Sequence, residues 1–189
     1  MRLNFTLVLG FILSSFFACD SKLEAVDYIQ WVNNYKNGLH TVTEANDLVF
    51  DLQFKPDQYR FIEQKGMATS YEVVDSVLQH YTLKISTKNG EDLMRINSVS
   101  NADVQLNDYY FSYLFQDVIF LEEGGVVKPC ELFHFEKYSD GSKRKVFNLA
   151  FENTGYEGAD VFVIIKSERI NTNPVRLKIS KSHLPDLKI

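Results

Sequence analysis

Leu48-Val49-Phe50-Asp51-Leu52-Gln53-Phe54-Lys55 alternates without a break: Leu48, Phe50, Leu52 and Phe54 take one side of an extended chain, and Asp51, Gln53 and Lys55 the other. A strand points successive side chains to opposite faces, so this segment predicts a strand with one dry face and one wet face. Further along, Val175, Leu177 and Ile179 alternate with Arg176, Lys178 and Ser180 in the same way. Val161-Phe162-Val163-Ile164-Ile165 is apolar on both faces, as a strand in the middle of a sheet would be. Strands are also expected at residues 82–87, 113–121, 126–136, 145–151 and 160–166, which makes the chain β-rich beyond Phe111. Glu123-Gly124-Gly125, Ser139-Asp140-Gly141-Ser142 and the stretch 153–158 supply turns between them.

The N-terminal half supplies the helices. Ala25, Tyr28, Ile29, Val32 and Tyr35 recur at helical spacing, predicting a helix over 22–35 that Asp20 or Ser21 caps and Asn37-Gly38 ends. Pro56-Asp57 opens a second helix through Lys65, stopped by Gly66. A third is expected over 71–80, with Thr69 and Glu72 at capping-box spacing, and residues 91–110 lean toward helix after Asn101. The fold class is therefore α+β: a mostly antiparallel sheet or sandwich in the C-terminal half, with two to four short helices from the N-terminal half.

Ahead of this domain, Arg2 precedes an apolar stretch of fourteen residues, 5–18, that stops at Cys19-Asp20-Ser21-Lys22. A bilayer-spanning helix needs about 20 apolar residues, so the stretch is short for an anchor. An ordinary cleaved signal needs small residues one and three positions before the cut; Ala18 suits the first and Phe16 is bulky at the other. Phe16-Phe17-Ala18-Cys19 resembles the processing site of a bacterial lipoprotein signal at three positions and departs from it at Phe17. That resemblance implies a signal peptide over 1–18, a mature domain over 19–189, and a thioether-linked diacylglycerol on Cys19, with a third, palmitate-like chain usual on its amine. Two or three such chains hold a protein stably at a membrane, where one alone does not. The tether from Cys19 to the first element is about three residues, which keeps the domain close to the bilayer.

Composition narrows the roles. At 45% hydrophobic and 14% aromatic the chain is too apolar for disorder. The mature part would carry nineteen basic against twenty-five acidic side chains, and such an acidic surface disfavours nucleic acid as a partner. Its longest basic run, Lys143-Arg144-Lys145, reads as the solvated edge of a turn. Lipidating Cys19 would leave Cys130 unpaired, as a buried small hydrophobe; a Cys19–Cys130 disulfide is the rival reading.

Candidate chemistry is sparse. Cys130, Leu132, His134 and Glu136 would share one face of a continuous strand, but Cys130 and Glu136 would then lie roughly 20 Å apart and could not share a metal ion. His134 and Glu136 read as a polar pair, and His40, His80 and His183 as surface histidines. A cysteine nucleophile would have to be Cys130, with His80 or His134 as base, and no helix N-terminus is expected nearby to activate it. Glu122-Glu123 and Asp57/Glu63 read as solvated charges. The aromatic excess at Tyr109, Tyr110, Phe111, Tyr113 and Phe115, followed by Phe133, Phe135 and Tyr138, reads as core or as a contact surface. No catalytic, cofactor or metal residue is assigned; Cys19, for lipid attachment, is the one site residue.

Trp31 with Asn37-Gly38-Leu39 and Leu52-Gln53-Phe54-Lys55-Pro56 resembles small Bacteroidota lipoproteins of unknown function, over about the first third of the mature chain. Asp75-Ser76-Val77 is similar to the short O-glycosylation site of that phylum, and Asp20 to an enterobacterial inner-membrane retention signal. The expected role is a lipid-anchored cell-envelope protein, in the outer membrane with its face left open, acting by binding or assembly. Its partners would be the membrane, through the lipidated N-terminus, and another envelope protein. An envelope hydrolase or ligand-modifying enzyme and a soluble exported domain are the alternatives.

Overall fold

The structure, a computed structural model, describes residues 22–66, 77–137, 143–155 and 160–188. The signal segment, Cys19, the Thr69/Glu72 box, Asp75-Ser76 and Tyr138 lie outside the described residues. In chain order the elements are β1 (Lys22–Leu23), α1 (Ala25–Asn33), β2 (His40–Ala45), β3 (Leu48–Lys55), α2 (Asp57–Lys65), β4 (Leu78–Thr87), α3 (Asn101–Tyr109), β5 (Ile119–Glu123), β6 (Val126–Pro129), β7 (Leu132–Glu136), β8 (Lys145–Glu152), β9 (Asp160–Ile165), β10 (Val175–Ser180) and β11 (Asp186–Leu187).

The fold is α+β. Five antiparallel strands in the order β2-β3-β4-β8-β7 form one sheet and four in the order β10-β9-β5-β6 another. Phe50, Leu52, Leu83 and Phe147 of the first sheet and Leu121, Val163, Leu177 and Ile179 of the second are buried in one continuous core. At one side of the body Ser180 N, at the end of β10, donates at 2.9 Å to the carbonyl oxygen of Gly38, two residues before β2. Gly38 sits at φ +84°, and a Cβ there would stand 2.9 Å from the Ser180 carbonyl oxygen, so the approach requires glycine.

Four expectations are corrected. Lys22–Leu23 is a strand paired in parallel with β11, so α1 starts later than predicted, with Glu24 at its N-cap in place of Asp20 or Ser21. Residues 78–80 of the predicted 71–80 helix belong to β4, and 71–76 lie outside the described residues. Leu78 through Ile85 each pair with β8, and that ladder overrides the local helical spacing.

Residues 113–118 are helical where a strand was expected. Ser100 and Asp103 form a capping box that starts α3, and the chain then runs through a π-helical turn, Tyr110–Leu114, and a 3-10 turn, Phe115–Val118, before β5. Strand and helix alike place Phe111 and Phe115 on one side, so the aromatic spacing was ambiguous. Tyr113 decides it: a strand would bury it with them, yet it is 66% exposed.

Finally, the single strand expected over 126–136 is two. The chain leaves the four-stranded sheet after Pro129, turns at Cys130-Glu131, and enters the five-stranded sheet at Leu132. A strand that switches sheets in this way makes a corner.

Candidate functional site

The wet phase of β3 finds matching phases across the five-stranded sheet. Register places Lys55 beside His80, Ala150 and Leu132 in one row, Gln53 beside Thr82, Asn148 and His134 in the next, and Asp51 beside Lys84, Val146 and Glu136 in the third. The opposite phase, Leu52, Leu83, Phe147 and Phe135, faces the core. The α2 helix lies against the wet face. It buries Tyr59 and Ile62, and Lys55 Nζ donates to both oxygens of Glu63 at 3.0 Å. Between α2 and β7 the face is left open as a two-lobed groove.

A lobe of about 320 Å³ holds Arg60, Gln64, His80, Ala150, Leu132 and His134. A second of about 600 Å³ holds Asn33, Gln53, Tyr59, Lys84, Glu136 and Arg144. Lys55, Glu63, Thr82 and Asn148 line both, so the lobes are continuous.

The polar groups of the groove are held by one another. Tyr59 Oη and Gln53 Nε2 both donate to Asn33 Oδ1, at 3.1 and 2.8 Å. Thr82 Oγ1 donates to Asn148 Oδ1 at 3.0 Å, and Asn148 Nδ2 donates to Glu136 Oε1 at 2.6 Å. Such relays fix which way each amide points. Burial pushes the His80 imidazole down to about 4, with the Arg60 charge adding to the effect, so the ring is neutral at pH 7.

His40 and His80 depart from the surface reading in different ways. His80 is half-buried and lines the groove with His134. The His40 side chain is only 9% exposed; its Nε2 bonds Asp51 Oδ1, Tyr35 stacks on it at 3.7 Å, and its buried Nδ1 has no hydrogen-bond partner among the described residues. Burial alone would raise the Asp51 carboxyl; the His40 bond, the Lys84 charge and the Tyr35 hydroxyl outweigh it and hold the group below its ordinary range. With both edges of the imidazole covered, this pair braces β2 against β3.

Two acid expectations divide. Glu122 is solvated and pairs with Arg176, but Glu123 is 3% exposed. It accepts from Lys181 Nζ at 3.0 Å, Gln79 Nε2 at 3.0 Å and Thr154 Oγ1 at 2.7 Å. Lys181 also donates to Gln79 Oε1, which accepts from Tyr81 Oη, both at 2.7 Å. The acid was expected in solvent because it borders a glycine turn; its alternation with Ile119 and Leu121 was the available signal.

Cys130 does not share a face with His134 and Glu136, because the corner turns it inward. Its Sγ lies 3.1 Å from the Leu132 carbonyl oxygen, and burial pushes the thiol up to about 12, which removes it as a nucleophile at neutral pH. Lys145, at the end of the basic run, pairs with Asp92 at 3.2 Å, while Arg144 reaches the groove.

The aromatic cluster divides between core and solvent. Tyr110, Phe111 and Phe115 are buried and pack with Phe147 and Phe133, whereas Tyr109 and Tyr113 are exposed with rings 5.2 Å apart.

Among the described residues no group of three or more His, Cys, Asp or Glu side chains is placed to hold a metal ion, and no helix is long and apolar enough to cross a membrane. No family model matches the chain, and no curated protein matches it. Among solved structures, a DUF4426 family protein from Pseudomonas aeruginosa PAO1 is similar at 11% identity and a TM-score of 0.36, over 78% of this chain and 97% of that one. Likeness at that level leaves the role of the chain to its own residues.

Proposed function

We propose that the protein is a lipid-anchored component of a bacterial cell envelope, held through Cys19, that binds a ligand in the groove between α2 and β7 without transforming it. The observation that carries the binding role is the groove itself: a continuous channel whose amides and hydroxyls are oriented before any ligand arrives. Sites of this kind bind with little ordering cost. The thiol that could have served as nucleophile is buried in the core at the sheet corner and is not part of the lining of the channel.

The position of the N-terminus favours the anchor. Asp20 and Ser21 alone separate Cys19 from Lys22, a reach of roughly 10 Å. Lys22 begins β1, which pairs with β11, and Leu187 N donates to Gln58 Oε1 in the first turn of α2. A membrane anchor would therefore hold the α2 end of the groove near the bilayer.

The test is fractionation of cells expressing wild type and Cys19→Ala after labelling with palmitate. Wild type is expected in the membrane fraction with label and added acyl mass, and Cys19→Ala without either. Wild type that is soluble, begins after a cut elsewhere and carries no acyl mass overturns the anchor.

A further inference from the structure

From the chemistry of the groove, and resting on its reading as a binding site, we infer that its ligand is an uncharged polyhydroxylated molecule, a short oligosaccharide. Three features separate this class from others.

The first is charge. An anion site presents cations that nothing in the protein has claimed, and here Lys55 is held by Glu63, Arg60 faces Asp57 at 3.5 Å, Lys84 stands beside Asp51 in register, and Arg144, the fourth cation of the lining, is engaged as well. An added phosphate or carboxylate would have to compete with each of these acids. Glu136 projects a further carboxylate into the same space.

The second is polarity. On the strand phase that faces the groove the apolar residues are Ala150 and Leu132 in one lobe and Val146 in the other; Tyr81, Phe133 and Leu149, which also line the first lobe, belong to the core phase. A greasy ligand lying along the groove would strip water from the amides between them and return nothing, which binding does not tolerate.

The third feature is the alternation of donors and acceptors. Asn33 spends its Oδ1 on Tyr59 and Gln53, which turns its Nδ2 outward as a donor. Gln53 spends its Nε2, which leaves its Oε1 as an acceptor. Thr82 and Asn148 are spent on each other and on Glu136, which leaves the second Glu136 oxygen and the Thr82 lone pairs as acceptors. Neighbouring strands lie about 4.8 Å apart, so these groups form a shallow lattice of fixed donors and acceptors. A hydroxyl both donates and accepts, and a ligand carrying several of them can answer each lattice point. Neutral His80 fits the same lattice as a ring that carries no charge to the ligand.

The test uses the full chain purified in detergent, screened on an array of neutral and uronic-acid oligosaccharides, with inorganic phosphate and citrate as anionic probes. A hit is then measured by calorimetry. Saturable binding of a neutral oligosaccharide is expected, weakened about tenfold or more by Asn33→Ala and by Glu136→Ala and unchanged by Tyr113→Ser, whose side chain does not line the groove. Asn33 is exposed, so its variant keeps the inference testable even where Glu136→Ala lowers the thermal midpoint.

No binding to any oligosaccharide, or binding that both groove variants leave intact, overturns the inference. Binding of phosphate or citrate alone also overturns it, while leaving the groove as a binding site. Recovery of the sugar cleaved, by mass, would keep the ligand class and instead overturn the non-catalytic role.

Discussion

Replacing Lys181 with methionine keeps most of the side-chain stem and removes the charge that faces Glu123. Lys181 is 18% exposed on its side chain and Glu123 only 1%, so the acid is the partner that cannot retreat to water. Two hydrogen bonds disappear, to Glu123 and Gln79, together with the contact of Nζ over the Phe54 ring at 5.0 Å. Removing one member of a buried ion pair costs about 3–5 kcal/mol. Glu123 keeps Thr154 and Gln79 as donors, which places the expected loss near the lower end, about 3 kcal/mol. For a chain of this size that is a fall of about 6–12 °C in Tm.

The pH dependence gives the sign. In the wild type, burial would raise the Glu123 carboxyl, but Thr154, Lys181 and Gln79 outweigh it and hold the group below its ordinary value of 4.5. Its contribution to stability is therefore present above that value and is lost as the pH falls through the folded one. Without Lys181 the burial effect gains the upper hand and the carboxyl is raised, so the variant recovers stability as the pH drops. Urea unfolding followed by circular dichroism at pH 7.5 and pH 5 measures this. The deficit should shrink at pH 5, and Lys181→Met/Glu123→Gln should return to within about 1 kcal/mol of wild type. A single variant that loses less than about 1 kcal/mol at pH 7.5, or a deficit that is equal at both pH values, would refute the role assigned to the pair.

Phe115→Ala should cost about 3–5 kcal/mol and Tyr113→Ala less than about 0.5 kcal/mol in the same unfolding assay, because two residues apart one ring is core and the other is in solvent. The Cys130 thiol, pushed up to about 12, should resist a thiol reagent in the native protein and react at once in urea; fast native labelling would contradict the buried corner. By NMR the His80 ring should stay neutral down to about pH 5 and protonate near 4, below its ordinary 6.5. The unfolded chain takes up that proton first, so His80 costs stability as the pH falls from about 6.5 toward 4. Arg60→Ala should raise the value only part of the way, since burial is the larger cause.

Much of this architecture was legible along the chain. The alternation at Leu48–Lys55 and Val175–Ser180 marked both strands to within a residue, because each has one face in the core and one in water. His40–Ala45 escaped notice because it is an outer strand with no fully buried position to give it a period. The start of β4 was hidden for the opposite reason: its eight pairings with β8 are non-local, while the helical spacing of 71–80 is local. The groove divides in the same way. The wet phase of β3 was read, and His80 and His134 were singled out, but the rows that set Gln53 beside Thr82 and Asn148 depend on register across three strands. Register is settled by pairing between distant segments, which no spacing within one segment encodes. Glu123 misled because a carboxylate beside Gly124-Gly125 reads as turn chemistry, and only its partners explain its burial.

The corner at Cys130-Glu131 and the Ser180–Gly38 bond stand on opposite sides of the body. On one side the outermost strands of the two sheets, β6 and β7, are the same piece of chain; on the other, a main-chain hydrogen bond ties the end of β10 to the residue that leads toward β2. Each sheet is thus fastened to the other at both margins, and neither can fan away from the core without straining the corner or breaking that bond.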